Sequence, residues 1–179
     1  MKSNKTVVLF LIKFFGTYLI LFILYAVYLN RSQNTAGLYA CAPITKTVAH
    51  HSQFLLTTFG YDAKIEQDPK NVAMQLILNG ELIALINEGC NAVSIIILFI
   101  SFIVAFAGKI RTTALYILFG SLLIYLSNIF RIAFISIALY KYPEYQAILH
   151  DFIFPGILYG ITFLLWFIWV QKFSQIKNE

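Results

Sequence analysis

The 23 residues at positions 7–29 carry a single charged side chain, Lys13, and three further apolar runs follow at 92–107, 113–140 and 152–170. Those runs decide what the chain can fold into. Crossing bilayer hydrocarbon as a helix takes about 20 consecutive apolar residues, and with no water there to satisfy a bare backbone, a helix is the form such a run adopts. The second run reaches that length when Cys90 and Asn91 begin it. Of the 179 residues, 60% are hydrophobic and 12% charged, with a mean hydropathy of +0.78. A soluble domain of this size has no core large enough to hide that much apolar surface. The expectation is an all-α polytopic membrane domain with four transmembrane helices, at 7–29, 90–108, 112–140 and 152–170. One external segment, 30–89, separates the first two.

Charge sets the orientation. The clearest positive charges are Lys2 and Lys5, Lys109 and Arg111, and Lys172 and Lys177. They fall at the N-terminus, between the second and third runs, and in the tail. Four spans place all three clusters on the cytoplasmic side, as the positive-inside rule requires, which gives an N-in/C-in topology with Lys13 snorkelling back toward that face. The net charge of +5 therefore follows the membrane and is no nucleic-acid footprint. A cleaved signal peptide is disfavoured, because its apolar core would run only about 7–15 residues. The tetrapeptide Leu38-Tyr39-Ala40-Cys41 lies too far beyond the first run to serve as a lipoprotein processing site.

In the external segment, the apolar spacing over 36–59 suggests a helix lying on the outer leaflet or against the bundle, and the polar stretch 60–69 reads as a loop. Asn79-Gly80 between the apolar runs 74–78 and 81–86 is a strong local hairpin signal. An amphipathic helix broken at Gly80 is the alternative. Pro143 and Pro155 punctuate the ends of the last two spans, and Trp166 and Trp169 fit an interfacial aromatic belt.

This topology carries Cys90, Arg131 and His150 toward one leaflet. Cys90 sits near a helix start, where exposed amides and the dipole favour the thiolate, the nucleophilic form. Gly89 removes bulk beside the sulfur, whereas Glu88 opposes the anion unless a cation offsets it. An inert buried cysteine would occupy the same position. Arg131 interrupts an apolar run, and charge at the bilayer centre costs roughly 2.5–3.5 kcal/mol on insertion scales. It lies about 13–15 Å below the exit near Lys141 at 1.5 Å rise per residue, a long reach for snorkelling, so a polar cavity or a paired anion is expected. Asn128, one turn earlier, shares its face. His150, beside Asp151, carries an imidazole, a side-chain type suited to acid–base work at neutral pH, although a solvated interfacial histidine is common.

The order and placement of Glu88-Gly89-Cys90-Asn91-Ala92-Val93, Asn128-Ile129-Phe130-Arg131 and His150 before the last span resemble the exosortase/archaeosortase family. The chain is most similar to the short exosortases of Bacteroidetes-type bacteria. The resemblance covers residues 87–170 and implies a polytopic cysteine transpeptidase or protease in the bacterial cytoplasmic membrane, its site facing the exterior. It implies Cys90 as nucleophile, His150 as acid/base and Arg131 as stabiliser of negative charge, with Asn128, Gly89 and Asn91 in support. The implied partner is an exported protein whose C-terminal signal combines a short motif, a transmembrane helix and a basic tail. No cofactor or metal is implied. Asn91 stands where the family commonly has serine, and larger members have more spans.

Other readings use the same residues differently. A Cys41–Cys90 disulfide would make Cys90 a staple in a non-enzymatic scaffold or transporter accessory subunit. Metal binding by Cys41, His50 and His51 lacks ligand spacing of the zinc type. A disulfide oxidoreductase would need a Cys-x-x-Cys pair, which is missing, and no Gly-x-Ser-x-Gly elbow suggests a serine hydrolase.

Overall fold

The computed structural model describes residues 2–36, 40–106, 108–145, 148 and 154–173. Its elements are α1 (Lys2–Ala36), α2 (Pro43–Thr58), β1 (Ala63–Gln67), β2 (Ala73–Leu78) and β3 (Glu81–Asn87), followed by a single 3-10 turn at Glu88–Cys90. Beyond it come α3 (Val93–Ala105), α4 (Ile110–Lys141), a second 3-10 turn at Pro143–Tyr145, and α5 (Phe154–Lys172). Two stretches, Val7–Gln33 and Ile110–Lys141, are long and apolar enough to cross a bilayer, and none of the most apolar window of the first is buried inside the protein. The second expected span, 90–108, is helical only over the 13 residues of α3, about 20 Å at the α-helical rise. α1 and α4 extend past the expected runs at both ends and α5 past the end of the last, whose first residues, 152 and 153, lie outside the described residues.

The external segment departs from an all-helical picture. Its hairpin forms where Asn79-Gly80 places it, with φ of 51° and 88° at those two residues, the left-handed pair that a two-residue turn between twisted strands requires. Asn79 also ties the hairpin to the chain entering β1: its N–H donates to the Asp62 carbonyl at 2.8 Å, and its Oδ1 accepts from the Asp62 N–H at 3.1 Å. The stretch 60–69, expected to be loop, contains β1. This strand pairs antiparallel with β2 from Ala63↔Leu78 to Gln67↔Met74, giving a sheet of order β1-β2-β3. Of its five residues only Ala63 is buried, so its pairing with β2, more than its own pattern, makes it a strand. The β1–β2 connection closes on Asp68, whose carboxylate accepts from the Lys70 and Asn71 N–H groups and from the Asn71 and Gln75 side chains. These bonds, led by Gln75, hold the Asp68 carboxyl below the usual range.

The core has two parts. α2 covers the sheet, and Val48, Ala49 and Leu56 pack with Met74, Leu76, Leu78 and Ile86 against Ile132 and Ala133 of α4. The second part joins Phe99 and Ile103 of α3 to Ile124 of α4 and Trp169 of α5. α4 thus runs through both. Trp169 is not interfacial as expected: it is fully buried, and its Nε1 donates to the Phe106 carbonyl at 3.0 Å. Trp166 stacks on Phe102 with ring centroids 4.4 Å apart. The bond to the Phe106 carbonyl satisfies the Trp169 N–H inside the bundle, as a buried indole requires.

α3 and α4 approach closely at Gly120, where an added Cβ would lie 2.3 Å from Cζ of the fully buried Phe99. Gly120→Ala should cost about 1–3 kcal/mol through overpacking, read as a lowered unfolding midpoint in lipid nanodiscs. Gly160→Ala, with nothing within 4 Å of the new methyl, should leave the midpoint unchanged or slightly raised.

Candidate active site

The last residue of β3 builds the turn that presents Cys90. Asn87 Oδ1 accepts from the Gly89 N–H at 2.9 Å and from the Cys90 thiol at 3.4 Å. Gly89 lets this side chain fold over the turn, since a Cβ there would meet Asn87 Oδ1 at 3.2 Å. Cys90 ends the turn, and Ala92, at φ 64°, redirects the chain into α3. Cys90 therefore does not begin a helix, as the sequence suggested, but stands ahead of Val93 in a corner of its own.

Buried polar contacts fix that corner to three helices. Glu88 Oε1 accepts from the Ala42 N–H at 2.6 Å, and its Oε2 accepts from the Thr45 hydroxyl. The carboxylate thus occupies the N-terminus of α2, where unpaired amides and the dipole favour an anion. Asn91, 1% exposed, donates to Tyr25 OH of α1 at 2.7 Å and to Thr45 Oγ1 of α2 at 3.0 Å, and its Oδ1 accepts from the Val93 N–H at 3.0 Å.

From the other side, fully buried Asn128 of α4 donates from Nδ2 to the Cys90 carbonyl at 2.7 Å. Its Oδ1 accepts from Arg131 Nη1 at 3.3 Å. Cys90 and Arg131 border one cavity of about 40 Å³, together with Ala84, Leu85 and Ile86 of β3 and Ile132, Ile135 and Ser136 of α4. That volume has room for a few water-sized groups. Arg131 Nε is buried with no hydrogen-bond partner, so the guanidinium holds a donor in reserve. His150 lies outside the described residues. Of the three candidate residues, the cavity brings together Cys90 and Arg131.

The profile of the transmembrane exosortase family matches residues 7–169. The chain belongs to the exosortase family. No curated protein and no solved structure matches it. Membership makes this exosortase a membrane protein, in agreement with its two long apolar helices, and places it in a family of cysteine-protease-like transpeptidases that process sorting signals. Cys90, Asn128, Arg131 and His150 all fall within the matched stretch.

The exosortase's other thiol has a different setting. Cys41 and Cys90 are both free, so the alternative disulfide is not formed. Cys41 is 1% exposed in the core beneath the sheet, and burial, then the Glu88 carboxylate, pushes its thiol up. His50 Nδ1 pairs with Gln53 at 3.2 Å and His51 Nδ1 with Tyr125 OH at 2.8 Å. Among the described residues no cluster of His, Cys, Asp or Glu could hold a metal ion. Sequence reasoning overlooked Asn87 and Thr45. An Asn two residues before a Gly is a turn-capping pattern and could have flagged the first; nothing in the sequence connects Thr45 to the Cys90 corner.

Burial sorts the two thiols. Iodoacetamide applied to the folded protein should alkylate the half-buried Cys90 and leave Cys41 unmodified until denaturation, a difference that peptide mass spectrometry resolves.

Proposed function

We propose that this exosortase is a membrane-embedded cysteine transpeptidase or protease acting on the C-terminal sorting signals of exported proteins. The observation that carries the reading is the shared cavity of Cys90 and Arg131, with Asn128 bonded to both residues. The proposed setting is the bacterial cytoplasmic membrane, with four spans at 7–29, 90–108, 112–140 and 152–170 and both termini inside. The cavity then faces the exterior.

In this mechanism the Cys90 thiolate attacks the carbonyl carbon of the scissile peptide bond, forming a C–S bond and an oxyanion. Arg131 stabilises that oxyanion with the donor it does not use for Asn128. Collapse of the intermediate breaks the C–N bond. The departing amine takes a proton from His150, leaving a thioester on Cys90. His150 then removes a proton from an incoming amine or water, which attacks the thioester and releases the thiolate. The substrate's own transmembrane helix docks along the bundle and supplies proximity. Glu88 and Asn91 hold the corner still, and Asn128 aligns sulfur with guanidinium.

Cys90→Ala should leave the folded protein in the membrane at normal abundance while the exported substrate keeps its C-terminal signal, as seen by mass in membrane fractions. Arg131→Ala should lower the processing rate by roughly 10²–10³, the cost of losing one oxyanion donor. Continued processing by Cys90→Ala would refute the mechanism.

A further inference from the structure

The cavity lies along an open strand edge, and that edge has a use. Neighbouring residues of a strand point their side chains to opposite faces of the sheet. Ala84, Leu85 and Ile86 are consecutive, yet all three border the cavity with Cys90 and Arg131. Three successive residues do so where the cavity meets the strand's backbone as well as its side chains. β3 is an outer strand: among the described residues its only ladder is to β2. The bulge that leaves Ile83 unpaired lies before this stretch, and from Ala84 to Asn87 the register with β2 is regular. Alternate N–H and C=O groups of β3 therefore point away from β2.

Soluble and membrane proteins alike blunt such edges with charge, because a bare apolar edge recruits other strands. β1, the opposite edge, carries Lys64 and Glu66, both exposed. Residues 82–86 of β3 are Leu, Ile, Ala, Leu and Ile, with no charge, and Leu82 and Leu85 are 56% and 44% exposed. The chain then passes from β3 through the Asn87-capped turn directly to the Cys90 sulfur. An open apolar edge that ends at a candidate nucleophile suits one occupant, another extended chain.

We propose that the substrate binds as an added strand on the free edge of β3, its backbone paired with alternate residues of 84–87 and its scissile carbonyl delivered to Cys90. This rests on the cysteine mechanism above and adds the recognition mode: an extended, uncharged polypeptide segment held chiefly through its main chain. Among the described residues Arg131 is the one charged residue at the cavity, so an aligned carbonyl oxygen meets a cation as it gains charge.

A backbone-recognition site can be tested with a backbone probe. Acetyl-tetraalanine chloromethyl ketone would alkylate the wild-type protein in lipid nanodiscs, the thiolate forming a C–S bond as chloride leaves, with the rate read at Cys90 by mass spectrometry. The probe is then N-methylated at each peptide nitrogen in turn. Strand addition makes every second nitrogen a donor, so methylation at alternate positions should slow labelling about tenfold and at the others by less than about twofold. Iodoacetamide labelling of the same samples reports the reactivity of the thiol itself. Methyl groups that slow the reaction equally at all positions, or at none, would overturn strand addition and leave the cysteine mechanism standing. Processing by Cys90→Ala would instead remove the mechanism, whatever the methyl pattern.

Discussion

A carboxamide side chain offers two N–H donors and an oxygen with two lone pairs, and inside a helix bundle an unpaired amide of this kind costs several kcal/mol, about 1–3 by mutational measures. Asn128 meets that cost by reaching across elements. One N–H goes to the Cys90 carbonyl and the oxygen takes a bond from Arg131. The link is between the external corner and the long helix that runs through both halves of the core. Without it, the turn bearing the sulfur and the helix bearing the guanidinium would share a neighbourhood but not a geometry.

The opposite side of the corner is held by charge. Glu88 takes the Ala42 N–H and the Thr45 hydroxyl at the start of α2, and Asn91 joins α1, α2 and the start of α3. Each is a short polar contact that water would weaken and a dry interior strengthens. Together with Asn128 they surround a three-residue turn with partners from four helices, so the sulfur is positioned by the tertiary structure and not by the turn's own stability.

Much of this was legible before the coordinates. Apolar runs announce helices because the requirement is local: each residue in hydrocarbon must satisfy its own backbone. Asn79-Gly80 announced the hairpin for a similar reason, the positive φ being a property of those two residues. β1 was illegible because Lys64, Glu66 and Gln67 are polar and become a strand only through β2, a partner the local pattern does not name. The helix of the second run begins at Val93, three residues beyond Cys90, because the capping by Asn87 that ends the sheet and tightens the turn is a tertiary arrangement. Trp169 looked interfacial from its place near the chain end and proved buried, since its N–H finds the Phe106 carbonyl. The approach of Arg131 to Cys90 followed only coarsely from the charge pattern. Asn128 could be placed on the face of Arg131 from its spacing, but its reach to the Cys90 carbonyl depends on how the turn packs against α4, which the sequence does not name.

The corner at Ala92 has a consequence of its own. It adopts φ 64°, a backbone that costs a non-glycine residue about 1–3 kcal/mol. The methyl group nevertheless belongs to the packed cluster with Phe99 and Ile124. Glycine would turn the corner without penalty, but it would leave a gap there and a freer swivel between sheet and bundle. The chain has traded conformational ease for a fixed angle, and inheritance at this position should favour compact side chains over branched ones.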